Sequence, residues 1–383
     1  MIFTTETKAF AAAVASAAKV IPAKSPWPIL TNLKLVTNDD RVTLIGSDSD
    51  TTLEIDVPAE VETEGAICVP FQPLAKFCAA AKSDTIKITI TDKEAKAQAG
   101  RSRIALSVQP LDDYPHYRPP EGDPVTVDGP TLCHALRFCV AATEEDEVRY
   151  NIAGPNFSEG GGFVDVWGTD GKSAHRARIA DLDGIGGGGT LPMSAAHVVL
   201  ALADKAETID FMICERGWHL MTEGRRVWGK VVESVYPDME RVIGQFSGWR
   251  DVATITRDDL TSAVSIATCG TEQDSTKSRN LVIRTAKDSP VIVRGHKVST
   301  GVLHAGRAET EATGLSDFLG VVSSKYLTGA TSGMKADDFL IEGSMEDDIA
   351  RAIRVKPAQA SATLDLMALV MAQKANPGEL ADV

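Results

Sequence analysis

The side chains best suited to chemistry in this sequence are six cysteines, seven histidines and two runs of carboxylates. Cysteine and histidine bind zinc when they recur at short spacings such as C-x-x-C, and no such pair occurs here. The acidic runs, TEEDEV at 143–148 and MEDDI at 345–349, could supply an acid and a base or bind a cation. Because charge runs of this kind are usually solvated loops, we predict no metal, no cofactor and no catalytic residue.

Motifs that bind phosphate or activate a nucleophile are also missing. The sequence contains no G-x-x-x-x-G-K-[ST] and no G-x-S-x-G, and the glycine run GIGGGGTLP at 184–192 leads into a strand pattern rather than a helix. The cysteines lie mostly in apolar segments, where a free thiol packs as a small hydrophobe. These features favour a non-catalytic protein of a reducing compartment.

The elements around these residues recur along the chain. Tyr114-Pro115 and Tyr236-Pro237 each follow a strand pattern and lie 122 residues apart. Three strand-then-helix openings recur with the same period, as do three later helices, and alternating apolar residues between them predict antiparallel strands. We therefore predict an α+β class with three similar units, near 1–121, 122–247 and 248–383, each with two helices on antiparallel sheets.

Composition limits the function further. The 383 residues are 43% hydrophobic, enough for three domain cores, and carry a net charge of −14. Segment 1–10 lacks the pattern of a signal peptide and no apolar run approaches ~18 residues, so a soluble, cytoplasmic protein is expected. An acidic chain is unsuited to gripping DNA over its whole surface, because phosphate affinity comes from cationic groups.

Five segments together resemble one family. They are PILTNLKLV (28–36), GRSRIALSVQPLDDYP (100–115), VRYNIAG (148–154), WGTDGKSA (167–174) and VYPDMERVI (235–243). In order and spacing the chain resembles the bacterial DNA polymerase III beta subunits, the DNA sliding clamps, over roughly residues 1–365. The resemblance implies three domains per protomer and a head-to-tail homodimeric ring that encircles duplex DNA and tethers the replicative polymerase, the clamp loader and other partners.

The resemblance also reconciles the charge with DNA, since a closed ring needs no tight grip and only a few inward cations. Lys24, Arg149 and Tyr150 match the family's DNA-contacting loops, while Asn151 stands where some relatives carry a second aromatic residue. Further candidates lie on or beside predicted helices. They are Lys8, Lys19, Lys76, Lys82, Arg137, Lys205, Lys325 and Lys335.

The resemblance also implies a cleft that binds peptides. The positions that match the family's motif for this cleft are Ile152, Thr169, Gly171, Lys172, Ser173, Ala174, Pro237, Arg241 and Val242. Ala174 stands where the family often has Leu, which predicts a shorter apolar wall. At the C-terminal end the usual Pro and Arg are missing, and Leu366, Met367 and Leu369 could replace the lining in either of two registers. Residues 373–383 are polar and predict a disordered extension.

For the dimer interface, the resemblance implies Ile104 and Leu106 in the first domain and Ile266 and Ala267 in the third. Ala267 is smaller than the family's usual residue, which predicts a looser dimer because less apolar area is buried. Two alternatives stay open at this point. One is an enzyme that uses the acidic or Cys/His groups, and the other is a divergent clamp-like scaffold, or a specialised paralogue, with altered peptide preference.

Overall fold

The computed structural model describes residues 1–91, 94–109, 111–115, 117–143, 147–269, 279–295, 306–346 and 349–373. These form two compact units. Unit 1 consists of Met1–Pro130 and Gly184–Val231, and unit 2 of Thr131–Asp183 and Val232–Val383. The tail prediction for 374–383 lies outside the described residues.

Most of the described helices begin at the residue after a strand. In chain order they are α1 (Thr7–Ala17), α2 (Phe71–Ala80), α3 (Gly129–Val140), α4 (Met193–Ala203), α5 (Met239–Gly244), α6 (Arg257–Thr268) and α7 (Ser324–Ser332), with 3-10 turns at Pro28–Thr31 and Glu147–Ile152. Two helices have side-chain caps of the expected kind. Asp238 accepts a hydrogen bond from the Arg241 backbone N–H at α5, and Thr256 accepts one from Asp259 at α6.

The strands are short, and the described ones are as follows: β1 (Ile2–Glu6), β2 (Asn32–Asn38), β3 (Arg41–Ser47), β4 (Thr51–Thr63), β5 (Gly65–Pro70), β6 (Thr85–Ile90), β7 (Glu94–Ala99), β8 (Ser102–Ser107), β9 (Val125–Asp128), β10 (Asn156–Gly160), β11 (Phe163–Thr169), β12 (Ser173–Ala180), β13 (Gly188–Thr190), β14 (Thr208–Cys214), β15 (Gly217–Thr222), β16 (Arg225–Gly229), β17 (Arg250–Thr256), β18 (Asn280–Thr285), β19 (Pro290–Gly295), β20 (Arg307–Thr313), β21 (Phe318–Ser323), β22 (Asp338–Glu346), β23 (Ile349–Pro357) and β24 (Leu364–Met371). One order of elements occurs three times: a strand, a helix, four strands, a helix and three strands. The α+β class is confirmed, while the exact domain boundaries stay a prediction.

Unit 1 is built on antiparallel pairing in the order β8-β7-β6-β1-β4-β16-β15-β14-β9, with β2 joined to β3 and β5. Apolar and polar residues alternate along its strands. In β6, for example, Ile86 and Ile88 are buried while their neighbours are not. Helices α1 and α2 pack against each other. The core includes Phe3, Phe10 and Trp218, each fully buried.

Unit 2 joins distant segments in one sheet. Its strands follow the order β10-β11-β12-β24-β23-β22-β17, and β20-β19-β18-β21 form a second sheet. The β12–β24 pairing is antiparallel and runs from Ser173 opposite Val370 to Ile179 opposite Leu364. Because side chains alternate between faces, this register fixes which residues of β24 share a face with which residues of β12.

A glycine in β11 allows α3 to lie close to this sheet. A Cβ atom on Gly168 would lie 1.9 Å from the Cys139 carbonyl oxygen and 2.7 Å from the Thr143 hydroxyl oxygen. The first of these is a backbone atom, so the helix end itself would have to move. Gly168 thus sets the spacing between α3 and the strand that ends at Thr169.

We predict that Gly168→Ala lowers the free energy of unfolding by about 3 kcal/mol, at the upper end of the usual cost of overpacking, because backbone must move. Gly161→Ala is the matched control, since a Cβ there would meet no atom within 4 Å. Urea denaturation followed by circular dichroism measures both. Equal stability of the two variants would show that α3 is not held at this distance.

A buried histidine lies beside this contact. The His175 ring stacks on Phe138 with 4.4 Å between ring centroids, and its Nδ1 is 2.7 Å from the Phe138 carbonyl oxygen. Burial disfavours the charged imidazolium and lowers the pKa of His175 to about 4. The ring is therefore neutral in the folded chain at neutral pH.

This burial predicts acid sensitivity. Between pH 6.5 and 4 the unfolded chain binds a proton at His175 that the folded chain does not. The free energy of unfolding therefore decreases by about 1.4 kcal/mol for each unit by which the pH is lowered in that window. The variant His175→Gln should show a shallower decline, whatever its stability at pH 7, whereas the exposed His197→Gln should keep the full slope. Denaturant midpoints at pH 7, 6 and 5 provide the measurement, and identical slopes for all three proteins would contradict the prediction.

Candidate binding cleft

An apolar cleft of about 340 Å³ opens at one end of the large unit 2 sheet. Eight of the residues expected there from the sequence line it: Ile152, Thr169, Gly171, Lys172, Ser173, Ala174, Pro237 and Val242. Arg149, Asn151, Met239, Leu369 and Met371 complete the lining. From here on, "the cleft" means the cavity formed by these residues.

The tight turn between β11 and β12 forms one wall. The Asp170 carboxylate accepts hydrogen bonds of 2.9 Å from the backbone N–H groups of Lys172 and Ser173. The Thr169 hydroxyl donates to the Ser173 carbonyl at 2.6 Å and accepts from the Gly171 N–H at 3.1 Å. Gly171 has a φ of +81°, which a residue with a side chain rarely adopts. The turn is therefore fixed by its own sequence, T-D-G-K-S.

The floor of the cleft is a buried apolar cluster. Trp167, Ala174, Met239, Met367 and Leu369 belong to it, and each is at least nine-tenths buried. Leu369 lies directly opposite Ala174 in the β12–β24 pairing. The segment from Tyr236 to Trp249, which includes α5, packs against the same cluster. The cleft is thus lined by β11, β12 and the turn between them, by β24, by the α5 segment and by the 3-10 turn at Glu147–Ile152.

The structure selects one of the two registers left open for the C-terminal strand. Leu369 and Met371 line the cleft, and Met367 lies in the cluster beneath it. Leu366 is buried at the alternate position of β24 and so faces the other side of the sheet. Arg241 does not line the cleft; it is exposed on α5, where its backbone N–H donates to Asp238.

Four lining residues were not expected at the cleft from the sequence: Arg149, Asn151, Met239 and Met371. Met239 follows the Asp238 cap, and an apolar residue at the start of a capped helix was the available signal. Met371 lies two residues beyond Leu369, and strand alternation could have found it once the register was known. Arg149 was expected at DNA, and the structure places it at the cleft, where its Nη1 donates to the Asp170 carbonyl at 3.2 Å.

Four of the six thiols are buried, whereas Cys214 is partly exposed and Cys269 is exposed. Cys68, Cys78, Cys133 and Cys139 are buried, and burial raises the pKa of Cys68 to about 11 and that of Cys78 to about 12. Across the described part of the chain, no three His, Cys, Asp or Glu side chains come together as metal ligands. Within those same residues, no helix has the length and apolar character needed to cross a membrane.

Comparison with known proteins agrees with this fold. Residues 1–118 match the family model for the N-terminal domain of the DNA polymerase III beta subunit. The beta sliding clamp of Pseudomonas aeruginosa is 26% identical over 260 residues, which cover 63% of this chain and 68% of that protein. The clamp of Bacillus subtilis is 24% identical over 270 residues, covering 64% and 69%.

Solved structures extend the likeness along the chain. The crystal structure of the P. aeruginosa DNA polymerase III beta subunit superposes with a TM-score of 0.86 at 20% identity, covering 98% of this chain and 100% of that one. The sliding clamp of Caulobacter crescentus gives 0.85 at 20% identity with the same coverage. Along 98% of its length the chain therefore has the fold of the solved beta sliding clamps, and its first 118 residues match that family's N-terminal domain.

The cations that the sequence predicts at DNA are all exposed. Lys8 and Lys76 lie on α1 and α2, Lys24 lies in the loop before the first 3-10 turn, and Arg137 lies on α3. Lys19, Lys82, Lys205, Lys325 and Lys335 are exposed as well. The side chain of Tyr150 lies outside the described residues, although the 3-10 turn that contains this residue is described.

The residues expected at the dimer interface differ in accessibility. Ile104 in β8 is partly exposed, and Ile266 on α6 is 45% exposed. Leu106 and Ala267 are buried within their own units, at 5% and 0% exposure. Because Ala267 is buried within its own unit, its small size does not by itself reduce the apolar surface offered to a second protomer. The accessible candidates are Ile104 and Ile266.

For the cleft we predict that Met371→Asp weakens binding of a labelled peptide with apolar anchors by about ten-fold, because a carboxylate would be desolvated in an apolar wall. Fluorescence anisotropy measures the dissociation constant. Val235→Asp is the control, since Val235 is 90% exposed and does not line the cleft. Unchanged affinity in Met371→Asp, with the fold intact, would place peptide binding elsewhere.

Proposed function

We propose that this protein is a DNA sliding clamp, a non-catalytic processivity factor that encircles duplex DNA and tethers a replicative polymerase through peptides bound in the cleft. The observation that carries the proposal is the three-fold element order in a chain that has the clamp fold along 98% of its length. The cleft adds an apolar cavity of a size suited to the anchor side chains of a peptide.

The charge distribution is consistent with weak, sequence-independent DNA contact. The net charge is −14, yet the candidate contacts Lys8, Lys24, Lys76, Arg137 and Lys205 are all exposed, four of them on or directly beside helices. Exposed lysines contact phosphates without reading bases. A ring held by topology needs only such contacts, and an acidic remainder opposes non-specific adhesion to DNA.

We propose that two protomers associate head to tail, with partly exposed Ile104 of one and Ile266 of the other in the contact. Heterologous contacts of this kind give a ring when the rotation closes. Three domains per protomer, near 1–121, 122–247 and 248–383, would then give six around the ring. The partners would be polymerase and clamp-loader subunits bearing apolar peptide motifs, and the site of action would be the nucleoid.

Retention on DNA tests the proposal. The protein is loaded with a compatible clamp loader onto nicked circular plasmid, the plasmid is isolated, and half of it is cut once with a restriction enzyme. We expect at least ten-fold less bound protein on linear than on circular DNA, since a ring slides off a free end. This loss would be absent if the protein bound DNA directly. Failure to load at all would favour a peptide-binding scaffold that does not encircle DNA.

A further inference from the structure

Of the five tryptophans in this chain, Trp27 is the most exposed to solvent, at 58%. Trp167, Trp218 and Trp228 are each 5% exposed or less, and Trp249 packs against the apolar cluster beneath the cleft. Tryptophan is highly buried on average, so a large apolar side chain left in solvent is informative. The indole of Trp27 is therefore a candidate contact surface for a partner.

The backbone at Trp27 is fixed although its ring is in solvent. Its carbonyl oxygen accepts a hydrogen bond of 3.0 Å from the Leu30 N–H, and its own N–H donates to the Ser25 hydroxyl at 3.1 Å. Buried Asn32 donates through Nδ2 to the carbonyl oxygens of the first two residues of the 3-10 turn Pro28–Thr31, at 3.1 Å each. The residues on both sides of Trp27 are prolines, whose rings fix φ. Binding at the indole therefore costs little loss of loop freedom.

The segment that carries Trp27 differs in charge from the chain as a whole. Residues 8–38 contain four lysines and no aspartate or glutamate, although the net charge of the chain is −14. Three of these lysines, Lys8, Lys19 and Lys24, are exposed. Lys24 precedes Trp27 by three residues, a span of at most about 11 Å along the chain. One short loop thus presents an aromatic ring and an ammonium group to solvent.

This combination matches single-stranded nucleic acid, whose bases offer ring faces for stacking and whose phosphates are negative. Base pairs in a duplex already stack on one another, so the indole requires an unpaired base. An anionic membrane would match the charge as well, but helices that bind membranes insert an apolar face. Helix α1, which precedes this loop, buries its apolar residues Phe10 and Val14 within unit 1. The loop therefore favours single-stranded DNA over a membrane surface.

We propose that Trp27 is a stacking platform for an unpaired base of single-stranded DNA, and that Lys24 contacts the phosphates of the same strand. This inference rests on the proposed function, because that function brings DNA to the protein. It deepens that function by adding a contact with unpaired bases. Every base has a ring face, so the stacking contact adds affinity without sequence preference, whereas the lysine contact weakens as salt is raised.

The test compares two fluorescein-labelled strands of about 12 nucleotides, one of oligo(dT) and one with abasic sites in place of the bases. Fluorescence anisotropy at low salt measures the dissociation constant of the full chain for each strand. We expect Trp27→Ala to raise the dissociation constant for oligo(dT) about ten-fold, as removal of one stacked aromatic residue does, and to leave that for the abasic strand unchanged. Trp27→Phe keeps a ring and should retain most of the affinity. Lys24→Gln should weaken both strands equally and reduce the salt dependence.

Val235→Ala is the matched control, because Val235 is an apolar residue outside this loop that is 90% exposed, and it should change neither constant. Equal affinity of the wild type and Trp27→Ala for oligo(dT), or an equal loss on the abasic strand, overturns the stacking contact. Binding to phosphatidylserine vesicles that depends on Trp27, with no binding to oligo(dT), overturns it in favour of a membrane.

The plasmid retention assay separates this inference from the proposed function. Trp27→Ala should stay on circular plasmid and leave linear plasmid as the wild type does, because topology holds the ring. Loss of the difference between circular and linear plasmid in the wild type would refute the clamp. A wild type that shows this difference, together with oligo(dT) binding that ignores Trp27, would refute only the stacking contact.

Discussion

Pairing between β12 and β24 is the interaction on which the cleft depends. It places Leu369 opposite Ala174, so that residues nearly 200 positions apart in sequence form one apolar surface. Backbone hydrogen bonds along seven residue pairs fix the register, and a shift by one residue would turn Leu369 and Met371 to the other face. The turn at Asp170 and the capped α5 then complete a cavity whose floor is already set.

The parts of this site that are determined locally can be recognised in the sequence. The T-D-G-K-S turn is encoded by an Asx-type carboxylate and a glycine with positive φ, and both are visible in five consecutive residues. The repeated order of strands and helices follows from apolar alternation and from recurring helix starts, so the α+β class could also be predicted. Tyr114 and Tyr236 lie in similar sequence contexts; Tyr114 is buried, and Tyr236 is partly buried.

The rest depends on contacts between distant segments. Nothing in the C-terminal strand decides between its two faces, because both carry apolar residues: Leu366, Ala368 and Val370 on one and Met367 and Leu369 on the other. Met239 lies in the cleft because its helix packs on Trp167, a contact made across 72 residues. Ala267 was expected at a surface, yet α6 turns it into the interior and leaves Ile266 outside.

The small residue at 174 reduces the apolar wall less than its size suggests. Two methionines and a leucine, Met239, Met371 and Leu369, line the cavity around it. Methionine is flexible and polarizable, so a wall made from it adapts to anchors of different shape. Selectivity in such a cleft must then come from polar groups beside it. The fold places such groups in the fixed turn at Asp170, where Lys172 and Ser173 line the cleft, so polar contacts rather than anchor shape are the basis on which the proposed clamp would discriminate among peptides.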